Sequence, residues 1–119
     1  MSLTKSNEDY LEAILILEKK ENVIRSIDIA KMLNISRPGV NQAMNVLKEL
    51  KLIIKDDYSD IKLTELGREI AEKVYEKHIL IKKFLLKIGV SDETAENDCC
   101  KIEHVISDET FNCLKKYFE

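Results

Sequence analysis

Residues 26–50, SIDIAKMLNISRPGVNQAMNVLKEL, decide how this chain folds. Apolar side chains recur at helical spacing in both halves of the stretch, which predicts one helix in each half. Asn34-Ile35-Ser36 breaks this periodicity, and Ser36 can cap the second helix because its hydroxyl oxygen can accept a free backbone N–H. Pro38 then falls in the first turn, where a missing N–H is tolerated. The stretch therefore predicts two short helices joined by a tight turn.

Two short apolar segments follow, Leu52-Ile53-Ile54 and Ile61-Lys62-Leu63, on either side of the polar turn Asp56-Asp57-Tyr58-Ser59-Asp60. Short apolar segments around a polar turn predict the two strands of a hairpin. The order helix, turn, helix, hairpin is that of a winged helix-turn-helix, in which the hairpin is the wing.

Helices are also predicted on both sides of this motif. Ser6 can cap a first helix, with Asp9 three residues later as the reciprocal partner of the cap. Thr64 caps a long helix from about 64 to 88, which Gly89 ends. Two serines begin the remaining helices, Ser91 and Ser107. The expected fold class is mainly α with a small two-stranded β wing.

The composition excludes several classes of protein. The chain has 119 residues, enough for one compact domain or a small domain with a helical appendage. Only three Gly and one Pro are present, which argues against disordered, collagen-like and turn-dense all-β chains. No apolar run approaches the ~20 residues that cross a bilayer. No secretory signal precedes the first helix, so we expect a cytoplasmic protein with no membrane partner.

Charge and cysteine usage give weaker indications of the binding partner and of the redox compartment. The net charge of −3 argues against a generally basic nucleic-acid binder, but the stretch from Asn22 to Thr64 holds seven basic and five acidic residues. The remainder holds 12 basic and 17 acidic residues. Three cysteines are an odd number, and Cys99 and Cys100 are adjacent, which predicts free thiols in a reducing compartment.

The start of the second helix of the motif is the first candidate site. Its polar or small residues are Ser36, Arg37, Pro38, Gly39, Asn41 and Gln42. Asn and Gln can bond adenine, Arg can bond guanine, and a helix N-terminus can hold a phosphate. These residues predict contacts in a DNA major groove; the alternative is a winged helix used for protein contact alone. The acidic wing is not expected to contribute, since Asp56, Asp57 and Asp60 repel phosphate and Lys55 and Lys62 offset this only in part.

A set of metal-ligand side chains is the second candidate site. Cys100, Glu103 and His104 stand at i, i+3 and i+4, a spacing that places three donors on one helix face. Asp9 and Glu12 repeat the i, i+3 spacing in the first helix, although such a pair alone is more often a helix cap and a solvated face. His78 lies in an apolar row, where a core histidine is the alternative to a ligand.

Three stretches carry a resemblance to a known family: Asn7-Glu-Asp-Tyr-Leu-Glu, Ser36-Arg-Pro-Gly-Val-Asn-Gln and Ile102-Glu-His-Val-Ile-Ser-Asp. The chain resembles the diphtheria toxin repressor and manganese transport regulator family of metal-dependent transcription repressors over nearly its whole length. The resemblance implies a winged helix-turn-helix DNA-binding domain in residues 1–64 and a helical metal-binding and dimerisation domain in residues 65–119. It also implies a homodimer through the helices after Gly89, and a short form without the third domain of longer members.

The resemblance further implies a ligand set and the residues that face DNA. The implied ligands are Asp9, Glu12, His78, Cys100, Glu103 and His104. Ser36, Pro38 and Gln42 fall on positions that face DNA. The manganese branch has an acidic residue in place of Cys100, and the iron branch has a Met in place of Asp9. This mixed set predicts Fe(II) or Mn(II), with Co(II) or Zn(II) as in vitro substitutes, and leaves open whether one or two ions bind.

The expected function is a metal-dependent transcriptional regulator that represses metal-uptake genes and binds double-stranded operator DNA as a homodimer when loaded with metal. A metal-independent winged-helix regulator with a vestigial site is the main alternative. A metal-activated hydrolase is a third reading, but the sequence has no Gly-rich substrate loop or oxyanion device, so neither an enzyme nor a small-molecule substrate is expected.

Overall fold

Residues 3–55 and 60–118 are described by a computed structural model, in which they form six helices and one two-stranded sheet. The elements are α1 Lys5–Glu18, α2 Ser26–Leu33, α3 Arg37–Glu49, β1 Ile53–Lys55, β2 Ile61–Leu63, α4 Glu65–Lys87, α5 Asp92–Ile102 and α6 Asp108–Tyr117. The predicted fold class, mainly α with a small β wing, is confirmed. The chain divides into two compact units, Met1–Glu72 and Lys73–Glu119, with the boundary inside α4.

Side-chain caps fix most helix starts where the sequence predicts them. Ser36, Ser91 and Ser107 each accept a hydrogen bond from the backbone N–H three residues later, at 3.3, 3.4 and 3.1 Å. The predicted cap of α1 is wrong. Thr4 is the N-cap, because its Oγ1 accepts a hydrogen bond from Asn7 N at 3.1 Å, and Ser6 lies within the first turn.

The core of the first unit lies where α1 packs against α2, α3 and β2. Its fully buried side chains come from all three helices: Leu11, Ile14, Ile29, Val40, Met44 and Leu47. Helical spacing places these residues on the inward faces of their helices, because side chains three and four residues apart share one side of a helix.

The wing is a short antiparallel ladder in which Ile53 pairs with Leu63 and Lys55 pairs with Ile61. Its first strand begins one residue later than predicted. On its other edge, Ile61 N–H donates to the carbonyl of Ile24 at 2.9 Å, so a segment between α1 and α2 also binds β2. The ladder and this extra hydrogen bond attach the wing to the rest of the unit. Asp56 and Asp57 lie outside the described residues.

The start of α4 is held tightly against the segment before the wing. Thr64 N–H donates to the carbonyl of Leu52 at 3.1 Å, and the Thr64 hydroxyl donates to the carbonyl of Lys51 at 2.7 Å. A Cβ at Gly67 would lie 1.9 Å from the Leu52 oxygen, so only glycine fits this approach. Arg68 Nη2 also contacts both carboxylate oxygens of Glu18, at 2.7 and 2.8 Å, which ties α4 to the end of α1.

The second unit contains most of α4 together with α5 and α6. Asp108, in the first turn of α6, lies 3.3 Å from Lys73 Nζ and 3.4 Å from Lys77 Nζ on α4. Near the other end of these helices the rings of Phe84 and Phe118 pack edge to face, with centroids 6.0 Å apart. Gly89 has a φ of +102°, a conformation that favours glycine, and it ends α4 as predicted.

No helix of residues 3–55 and 60–118 is both long enough and apolar enough to cross a membrane.

Candidate metal centre and nucleic-acid interface

The N-terminal turns of α3 present the predicted DNA-contact residues on one surface of the first unit. Ser36, Arg37, Pro38, Asn41 and Gln42 are exposed, and Gly39 is half-buried. The opposite face of the helix is the buried one already described, so packing fixes the orientation of the exposed face. An exposed helix start with Arg, Asn and Gln side chains is chemically suited to phosphate and base contacts.

The wing is less suited than the start of α3 to contact a nucleic acid. Asp60 lies 3.5 Å from Lys62 Nζ in an ion pair, so the lysine is already partly neutralised by its neighbour. The expectation that the acidic wing contributes little stays a prediction, since Asp56 and Asp57 are not described.

In the second unit, His78 of α4 lies beside two thiols and a carboxylate. His78 Nδ1 lies 2.8 Å from Glu103 Oε2, 3.6 Å from Cys99 Sγ and 3.9 Å from Cys100 Sγ. The ligand atoms of His78, Cys99 and Cys100 all lie within 4.8 Å of one another, a separation that would allow them to share one metal ion. Imidazole and thiol donors suit a divalent transition metal.

Glu103 is the centre of this cluster. Its side chain is 0% exposed, with Oε2 facing His78 and Oε1 lying 3.3 Å from His104 Nε2. Within the described part of the chain, Oε1 accepts no hydrogen bond. A buried carboxylate oxygen without a hydrogen bond is unfavourable unless a cation satisfies it. The donor set and this oxygen therefore fit a bound metal ion.

Of the three donors expected on one helix face, Cys100 lies on α5 and Glu103 keeps a right-handed helical conformation at its end, whereas His104 lies beyond the helix. The helix α5 ends at Ile102, Glu103 is its C-cap, and His104 follows in a turn. Its last turn tightens, since His104 N–H donates to the carbonyl of Lys101 and Val105 N–H to that of Ile102, each three residues back. His104 still faces Glu103, because the turn and not the helix positions it.

The other ring nitrogen of His78 also has a polar neighbour. Nε2 lies 3.3 Å from Glu96 Oε1, and Glu96 Oε2 lies 3.0 Å from Lys82 Nζ. The contact with the Lys82 ammonium lowers the pKa of Glu96 below its usual value, against the opposing effect of burial. His78 is therefore a half-buried histidine with polar groups at both ring nitrogens, and not a histidine packed only among apolar side chains.

The two adjacent thiols differ in environment. Cys99 is fully buried, and burial, with smaller effects from Cys100, Glu96 and Glu103, raises the pKa of its thiol to about 12. Cys100 is half-buried. Cys113 is exposed on α6. None of the three cysteines forms a disulfide, as predicted.

Asp9 and Glu12 lie three residues apart on α1 in the first unit, and both are half-buried. Asp9 Oδ2 lies 2.9 Å from Lys5 Nζ, one turn earlier in the same helix. The alternative in which Asp9 serves a Ser6 cap is wrong, because Thr4 is the cap.

Sequence reasoning missed Glu96 and Cys99 as neighbours of His78. A signal for both exists, because the i, i+3, i+4 and i+7 positions counted back from Glu103 include Cys100, Cys99 and Glu96.

Comparison with known proteins matches both halves of the chain to domains of the same protein family. Residues 2–61 match the family model of the iron dependent repressor N-terminal DNA binding domain, and residues 64–119 match that of the iron dependent repressor metal binding and dimerisation domain. The chain belongs to the iron-dependent repressor family. The resemblance inferred from the sequence is thereby confirmed, and the chain is a metal-dependent transcriptional regulator of this family.

Relatives of the family are transcriptional regulators. An uncharacterized HTH-type transcriptional regulator of Methanocaldococcus jannaschii is 39% identical over 119 residues, which cover 98% of this chain and 95% of that protein. Transcriptional regulator MntR of Escherichia coli is 32% identical over 110 residues, covering 92% of this chain and 71% of MntR. The structure of the manganese regulator SloR superposes with a TM-score of 0.84 at 29% identity, and this chain covers 54% of it.

Proposed function

We propose that the protein represses metal-uptake genes by binding operator DNA as a homodimer when Fe(II) or Mn(II) is bound. The observation that carries the proposal is the buried Glu103 carboxylate between His78 and His104, in a chain of this family. A dication would satisfy the Glu103 oxygen that accepts no hydrogen bond from the described residues.

The proposed ligands are two residues of α1 and four of the second unit: Asp9, Glu12, His78, Cys100, Glu103 and His104. A bound dication would offset half of the four negative charges that the three carboxylates and the thiolate carry. Carboxylate oxygens suit Mn(II), whereas a thiolate shifts the preference towards Fe(II), Co(II) and Zn(II). The mixed set therefore suits Fe(II) or Mn(II), with Co(II) and Zn(II) as in vitro substitutes.

The route from the metal to DNA runs through α1. Because α1 packs against α2 and α3, ligation of Asp9 and Glu12 would hold the recognition helix α3 in a fixed position. In a homodimer through the helices after Gly89, this would set the spacing of two α3 helices for two half-sites. A ligand converts a mostly inactive population to a mostly active one if it favours the active state about 10⁴-fold, or ~5.5 kcal/mol.

The proposed DNA contacts are Ser36, Arg37, Pro38, Gly39, Asn41 and Gln42. Residues 1–64 would form the DNA-binding domain and residues 65–119 the metal-binding and dimerisation domain, acting on operator DNA in the cytoplasm. Neither a membrane nor a small-molecule substrate is part of the proposal.

Operator binding with and without metal tests this proposal. Fluorescence anisotropy of the DNA upstream of its own gene would be measured at fixed salt, because phosphate contacts make affinity strongly salt-dependent. We expect binding to strengthen about 100-fold between chelator and anaerobic Fe(II). Glu103→Gln, which removes the central charge and keeps the shape of the side chain, should abolish this gain.

Cys113→Ser is the matched control, since that thiol is exposed and lies on α6, apart from the cluster. It should respond to metal as the unmodified protein does. Equally tight binding with chelator and with metal would contradict the proposal and favour the metal-independent regulator.

A further inference from the structure

The two ring nitrogens of His78 face different carboxylates. Nδ1 points to the cluster of Glu103 and the two thiols, at 2.8 to 3.9 Å. Nε2 has Glu96 Oε1 at 3.3 Å and also lies 3.8 Å from Cys99 Sγ, which therefore contacts both ring nitrogens. A neutral imidazole carries one proton, and the nitrogen without the proton is the one that can bind a metal ion. Which nitrogen keeps its proton therefore decides whether His78 can act as a ligand towards the cluster.

Glu96 is itself held in place from the far side. Lys82 Nζ lies 3.0 Å from Glu96 Oε2 and 3.6 Å from Asp92 Oδ1, so one ammonium contacts two carboxylates of α5. Lys82 stands four residues after His78 on α4, on the same side of that helix. The carboxylate of Glu96 thus contacts α4 at two points, one oxygen to the imidazole and the other to the ammonium.

Metal-binding histidines commonly donate their second ring N–H to a carboxylate, which fixes both tautomer and ring orientation. We propose that Glu96, anchored by Lys82, is a positioning residue that retains the proton on His78 Nε2 and leaves Nδ1 as the ligand atom. This rests on the proposed function only in taking His78 as a ligand. Neither Glu96 nor Lys82 belongs to the proposed ligand set.

The ring nitrogens of His78 can be followed directly by ¹⁵N NMR during titration with Zn(II), a diamagnetic probe. In the unmodified protein we expect Zn(II) to shift Nδ1 while Nε2 keeps its directly bound proton. In Glu96→Ala the bound form should lose this single arrangement, and Zn(II) affinity should fall about 10- to 100-fold.

Conservative variants separate orientation from charge. Glu96→Gln keeps an oxygen that can accept the Nε2 proton, so it should restore the ring signals and most of the affinity. Lys82→Met removes the ammonium and keeps much of the side-chain stem, and we expect a smaller loss in the same direction as Glu96→Ala.

Asp98→Ala and Lys83→Met are the matched controls. They remove the same charges from exposed positions of α5 and α4, and should leave the His78 signals and Zn(II) affinity unchanged. Thermal unfolding of the metal-free variants verifies that each one folds.

Three results would overturn the inference. The first is an unchanged ring spectrum and affinity in Glu96→Ala, with Zn(II) still bound at His78, which would leave the proposed metal site intact. The second is unmodified affinity in Lys82→Met, which would remove the anchoring role. The third is a spectrum of the unmodified protein in which Zn(II) binds without shifting His78 at all; this would also remove His78 from the proposed ligand set.

Discussion

At the scale of single residues, Gly67 sets how closely α4 can approach the segment before the wing. The Leu52 carbonyl accepts a hydrogen bond from Thr64 N–H, so this oxygen cannot move away without losing a partner. A side chain at Gly67 would meet that oxygen at 1.9 Å. The contact is between backbone atoms, which have no rotamer through which to relax.

We expect Gly67→Ala to destabilise the protein by about 1–3 kcal/mol, in the range of overpacked sites. The urea midpoint of unfolding would measure this loss. Gly39→Ala is the matched control, because its added Cβ meets only side-chain atoms, Ser36 Oγ at 3.1 Å and Ile35 Cγ2 at 3.4 Å. Equal stability of Gly67→Ala and the unmodified protein would show that α4 can shift at no cost.

Residue-scale prediction from sequence was good for caps and incomplete for the metal cluster. Serine caps are local, so Ser36, Ser91 and Ser107 could be identified from their neighbours in sequence. Which of the two adjacent thiols, Cys99 or Cys100, is the buried one could not be predicted from neighbouring residues alone, since adjacent helical residues point about 100° apart. The burial of Cys99 fixes the rotation of α5 against the rest of its unit, and only tertiary packing supplies that information.

At the scale of elements, the start of α6 is attached to α4 by charge. Lys73 and Lys77 hold the pKa of Asp108 below its usual value through hydrogen bonds and charge attraction, with Lys73 contributing most. The same carboxylate lies in the first turn of α6, where negative charge is favoured by the helix dipole.

The lowered pKa of Asp108 makes part of the stability depend on pH. Because the folded-state pKa lies below the unfolded one, the contribution is present above the unfolded pKa, near 4, and is lost as pH falls through the folded value. Asp108→Asn should therefore flatten the acid side of a plot of unfolding midpoint against pH. The effect should be small and weakened by salt, since Asp108 is exposed.

Glu109→Gln removes the neighbouring charge in the same turn of α6 and is the control for a general charge effect. If both variants change the acid side equally, the effect comes from net charge and not from the contact with Lys73 and Lys77.

Element order was predictable because hydrophobic periodicity, caps and turn residues agreed with one another along the chain. The end of α5 at Ile102 was not, because no Gly or Pro follows that residue to mark it. Ser107 must begin α6 a few residues later, and the chain makes a tight turn to reach it. His104 therefore lies beyond α5, in the turn that leads to α6.

At the scale of the whole molecule, metal binding should appear as folding stability. Any ligand that binds the folded chain better than the unfolded one raises its stability, by about 2.7 kcal/mol at 100 times the dissociation constant. We expect the thermal midpoint of unfolding of the metal-free protein to rise when Co(II) is added.

Glu103→Gln should remove this rise, and Cys113→Ser should retain it. A rise that survives Glu103→Gln would place the stabilising ion elsewhere. The absence of any rise in the unmodified protein would contradict tight binding by the folded state, independently of any measurement on DNA.

The hydrogen bond from Ile61 to Ile24 bears on how molecules of this protein meet one another. A two-stranded wing has outer edges, and an open edge strand is a template for pairing with a strand from another molecule. Here the Ile61 N–H on the outer edge of β2 already has a partner within its own chain. The same contact that attaches the wing therefore withholds this donor of the β2 edge from a strand of another molecule.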